Sequence, residues 1–124
     1  MILAKLASLS LLVLSSTGSY MGTVPDPHMS AAQKRAIVKS SVTRATECVA
    51  RAVAADERFA RLPDPSDLGD LIVEAVPPCA GLMRAMIESY DDCFGSGTGE
   101  AFFSGPYLDT LPAAIAKLVR TSRP

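Results

Sequence analysis

The sequence predicts an all-α fold, a small bundle of three to four helices that follows a cleaved leader and carries one disulfide. Three observations lead there. Apolar residues recur at steps of three and four along most of the chain, no segment shows the strict alternation of a half-buried strand, and most prolines and glycines punctuate the periodic runs. With 124 residues there is room for one domain. At 48% hydrophobic and 20% charged the composition is globular, yet only 6% of residues are aromatic and tryptophan is absent. A core built this way is thin, and a cross-link helps a domain of this size.

Residues 1–19 have the order of a secretory signal peptide. Lys5 gives the positive end, Leu6 to Leu14 form an apolar run broken only by small residues, and Ser15 to Ser19 supply the small residues that signal peptidase accepts. Cleavage is expected near residues 18–22. The apolar run is too short to span a bilayer, and no cysteine stands near the cut to take a lipid, so no stable membrane anchor is expected afterwards. The address implied is secreted or periplasmic. Residues 20–29, with Gly22, Pro25 and Pro27, form a flexible lead-in, and residues 30–124 form the helical domain.

The first helix opens at Ser30, which with Gln33 has the form of a capping box. Val38, Val42, Ala45, Val49, Ala52 and Phe59 make its inward stripe, interrupted at Asp56, where a bend is expected. Pro63 ends it. Arg44, Arg51 and Arg58 lie on the outer side, with Glu47 to Arg51 and Glu57 to Arg61 spaced for ion pairs. Asp64 then caps a second helix over residues 66–76, with Pro65 at its first position. Pro77 and Pro78 lack amide protons and clash with the preceding turn, so a kink or restart is expected there. Beyond them Cys79, Leu82, Met83, Met86, Ile87, Tyr90, Cys93 and Phe94 keep the strongest helical period in the chain, ended by Gly95. Residues 95–105 read as a loop or pair of turns. A last helix, carrying Leu108, Leu111, Ile115, Leu118 and Val119, starts between Pro106 and Thr110, because Pro112 is tolerated only in a first turn.

Charge suggests how the first two helical regions pack. Residues 30–62 hold seven basic and three acidic side chains, whereas residues 64–100 hold one basic and eight acidic. Oppositely charged neighbours joined by a short turn favour an antiparallel hairpin, although each exposed pair contributes little.

That hairpin also selects among the cysteines. Cys79 and Cys93 are fourteen residues apart on one helix, hence about 21 Å at the helical rise, far beyond the roughly 7 Å that a disulfide spans. A turn centred near residues 63 and 64 opposes residues whose numbers sum to about 127, as those of Cys48 and Cys79 do. Cys93 would face a position about 20 Å from Cys48 along the first helix. The expected bond is therefore Cys48 to Cys79, with Cys93 a free thiol or a link between two chains in a dimer.

Chemistry-bearing patterns are sparse. His28 is the only histidine and lies in the lead-in, so neither a serine nor a cysteine nucleophile has a positioned base. There is no CxxC pair, and Met83 and Met86 belong to a core stripe, so neither metal nor cofactor is expected. Removing the leader leaves 11 basic against 13 acidic residues, too little charge to suggest a nucleic-acid partner. Glu88, Asp91, Asp92 and Glu100 offer carboxylates for acid-base work, and they carry the alternative reading of a small secreted hydrolase. Phe102, Phe103 and Tyr107, in a glycine-flanked stretch, either plug the end of the bundle or make a contact surface for a protein partner. The plug is favoured, because few other large residues can close the core. The leading expectation is an exported, non-enzymatic binding or accessory module.

Overall fold

A computed structural model describes residues 28–62 and 65–121. The leader, nearly all of the lead-in and the Pro63–Asp64 turn lie outside the described residues. Four α-helices order the rest: α1 (Ala31–Ala55), α2 (Gly69–Phe94), α3 (Thr98–Phe102) and α4 (Leu108–Thr121). Among the described residues there is no strand, and no helix is long and apolar enough to cross a membrane.

α1 begins as its sequence directs. The Gln33 amide donates to Ser30 Oγ at 3.1 Å, and the Ser30 amide donates to Gln33 Oε1 at 2.8 Å, so two otherwise unpartnered amides are satisfied. The helix ends at Asp56, whose carboxylate caps a 3₁₀ turn over Glu57–Arg61. Val38, Ala45 and Val49 of the expected stripe are buried, joined by Thr46, Ala50 and Val53. Alanines on this face let the neighbouring helices approach closely.

α2 differs from expectation at two points. It starts at Gly69, after a 3₁₀ turn over Pro65–Leu68 in which Asp67 (φ −85°, ψ 22°) leaves helical geometry. The tighter turn sets Leu68 in the core at 1% exposure. The helix then runs unbroken through Pro77 and Pro78, where a kink or restart was expected. The two prolines remove amide donors that would reach the carbonyls of Val73 and Glu74. Val73, Glu74 and both prolines are exposed, so water can take those carbonyls, while Ala75 and Cys79 pack on the buried side.

Residues 95–105 are more ordered than a loop. Gly95 (φ 115°) ends α2 and Gly97 (φ 88°) starts α3, both in the left-handed region that glycine occupies without strain. A π turn over Phe103–Tyr107 joins α3 to α4, so residues 98–121 follow one helical path with a bulge. Pro106 has no amide to return to Phe102, which widens the turn, and the bulge carries Tyr107 inward to 3% exposure.

α1 packs antiparallel to α2 along its length, and α4 also lies against α1. Ala45, Val49, Val53, Leu71, Met83, Met86, Leu111 and Ile115 fill the space between them. Cys48 and Cys79 are joined with their α-carbons 5.9 Å apart, near the middle of the α1–α2 pair.

Candidate functional site

The last turns of α2 and the whole of α3 are joined by hydrogen bonds and a close backbone contact. The Thr98 hydroxyl donates to the Tyr90 carbonyl at 3.1 Å, and the Gly99 amide donates to Asp91 Oδ1 at 2.9 Å. Gly99 sits so close to α2 that a β-carbon there would lie 2.1 Å from the Ile87 carbonyl oxygen. Only glycine lets α3 seat itself. This brings Phe102 onto Tyr90, with ring centroids 4.2 Å apart and nearly parallel.

The three aromatics singled out from sequence serve unequally. Tyr107 is a plug: it is buried, contacts the rings of Phe102 and Phe103 at 5.9 and 5.8 Å, and bonds to Thr46 across α1. Thr46 Oγ1 also reaches the Val42 carbonyl at 2.7 Å, and in its 3.2 Å contact with the Tyr107 phenol either hydroxyl can be the donor. Burial pushes the Tyr107 phenol above its ordinary range, and the Thr46 bond pulls it back in part. Phe103 is half-buried against the core. Phe102 shares its face between that core and an open groove.

The groove lies where the start of α1 meets the end of α2, and has a volume of about 500 Å³. Val38, Val42, Tyr90, Phe94 and Phe102 line it, and Arg35 and Lys39 stand at its α1 side. Phe94 was expected in the core stripe, but it is 45% exposed, since α2 ends before another element can cover it. Its ring leans on Tyr90 at 5.8 Å, and burial raises the Tyr90 phenol above its ordinary value. Sequence reading missed this groove, although the i,i+4 aromatic pair Tyr90 and Phe94 was the available signal.

The four candidate carboxylates do not converge. Asp91 holds the Gly99 amide. Glu88 and Asp92 line a separate shallow recess with Arg44, Ser41 and Ser89, and Glu100 is exposed in the first turn of α3. The Ser41 and Ser89 hydroxyls lie 2.8 Å apart and each also reaches a carbonyl of its own helix, at Ile37 and Ala85, so their two protons are taken up by these contacts. Among the described residues no cluster of three histidine, cysteine or acidic side chains could hold a metal ion.

Cys93 is a free thiol, 5% exposed. A bond between chains through it would first require the end of α2 to open. At the opposite end of the bundle Arg58 bridges Asp56 (2.8 Å) and Glu74. This pairing carries charge from the 3₁₀ turn after α1 across to α2. The Arg58 hydrogen bonds hold Asp56 down to about 2 and lower Glu74 as well.

Compared with known protein families, curated proteins and solved structures, the chain matches none.

Proposed function

We propose that this is an exported binding or accessory module without catalytic activity, acting in the periplasm or outside the cell. One contrast carries the reading. The groove is lined by Tyr90 of α2 stacked on Phe102 of α3 with Phe94 beside them and is open to solvent, whereas the carboxylates that a hydrolase would need are divided among three places. Rigid aromatics at an open surface supply contact area at low entropic cost, which is how binding faces concentrate their energy. The disulfide supports the exported address, since such bonds persist in oxidising compartments.

The test is expression of the full chain with its leader. Export predicts a mature form that starts near residues 18–22, with Cys48 and Cys79 oxidised and one thiol titratable after unfolding. Full-length chain among cytoplasmic proteins, Met1 included and all three thiols reactive, would overturn the address. For the binding role, Phe94→Ser should abolish partner capture from the exported fraction, while Glu88→Gln with Asp92→Asn should leave it intact. The reverse pattern would favour the hydrolase.

A further inference from the structure

We infer that the groove between the start of α1 and the end of α2 binds an acidic peptide segment of another protein, through an apolar anchor flanked by two carboxylates. The inference rests on the binding role proposed above and names its partner class. The argument is complementarity. Arg35 and Lys39 are the only charged residues lining the groove among the described residues, and both are exposed. They stand on one face of α1 a single turn apart, about 6 Å at the helical rise. Carboxylates four apart on a peptide helix, or two apart on an extended strand, have a similar spacing. The stacked Tyr90 and Phe102 with Phe94 beside them form an aromatic wall for a leucine or phenylalanine side chain. A larger recess of about 630 Å³ between α1 and α4 lacks this selectivity, because its charged residues, Glu47 and Arg51, are of opposite sign.

A shallow, open groove favours a peptide over a small amphiphile, which needs most of its surface enclosed. Two turns of helix lie along the span from Arg35 to Val42, about 10 Å, so the contact is short. The expected affinity is micromolar or weaker, with steep dependence on salt.

The probe is a displayed library of random 12-residue peptides, selected on the oxidised chain, with the Arg35→Glu/Lys39→Glu double variant and Phe94→Ser as parallel targets. Both changes are at exposed positions, and circular dichroism with thermal melting checks that each variant folds. The expected result is enrichment of peptides with paired Asp or Glu around an aromatic or leucine, at least tenfold weaker on either variant. Enrichment of neutral or basic peptides that still depends on Phe94 would overturn the acidic partner and leave the binding module standing. No enrichment over Phe94→Ser would overturn both. Two other occupants are read directly and would each overturn the peptide: a dimer in sedimentation that Phe94→Ser dissociates, or retention on phosphatidylglycerol vesicles that the double charge reversal abolishes.

Discussion

The middle of the bundle and its aromatic end hold together by different means. In the middle a covalent bond between Cys48 and Cys79 links α1 to α2, beside a core made chiefly of alanine, valine, leucine, isoleucine and methionine. At the other end no disulfide links the helices among the described residues, and hydrogen bonds from Thr98 and Gly99 join α3 to α2. Stacked rings, a buried phenol and a glycine contact seat α3 on α2. The two regions differ in what they leave exposed. Cys79 is buried and Cys48 half-buried in the seam between the helices, whereas the ring cluster leaves Phe94 and one face of Phe102 open to solvent.

Four measurements would break or sharpen that contrast. The largest effect is expected from Cys48→Ser with Cys79→Ser, which opens a loop of 31 residues and should cost about 4 kcal/mol in the loop-entropy account. Urea unfolding with and without reductant measures it, and a loss below about 1 kcal/mol would mean the apolar core is sufficient by itself. Next comes Gly99→Ala. Its β-carbon has no room against the Ile87 carbonyl, so α3 must lift, at a cost of about 2 to 3 kcal/mol. The same change should disturb Tyr90 and Phe102, visible as a change in near-ultraviolet circular dichroism; an unchanged spectrum would show that the groove does not depend on that seat.

Tyr107→Phe removes only the hydrogen bond shared with Thr46, and should lose about 1 kcal/mol. It also tests alkaline behaviour. Burial raises the folded-state phenol above 10, so Tyr107 contributes its stability fully below that pH and loses it as the pH rises. The variant should unfold less steeply on the alkaline side.

The smallest effect is at the far ion pairs. Arg58→Ala should lower the Tm by only about 2 °C at neutral pH, because the groups are exposed. Asp56 is depressed from 3.8 to about 2 by its Arg58 hydrogen bond, so that contribution is present above 3.8 and lost as pH falls toward 2. The difference between native chain and variant should therefore vanish through that window, and a difference that persisted at pH 2 would place its origin elsewhere.

Much of this architecture was legible because it depends on local rules. The Ser30 and Gln33 cap, the arrest at Gly95, the start of α4 and the choice of Cys48 with Cys79 all follow from spacing along one or two helices. Three features were not legible. α2 continues through Pro77 and Pro78 because their missing bonds face water, which depends on where the rest of the bundle lies. The stretch expected as a loop forms α3 and a π turn because Gly99 meets the Ile87 backbone, a contact twelve residues back. Phe94 continues the apolar period of α2 yet is left outside, since periodicity assigns a face to a residue and cannot say where the covering element stops.

By itself the sequence determined α1, the two halves of α2, α4 and the covalent link, because capping, periodicity and residue spacing operate within a few turns. Which aromatic rings close the core and which remain open to solvent was decided only when α3 docked on α2. That choice depends on two backbones approaching closely enough to exclude a single β-carbon, a distance no linear pattern specifies.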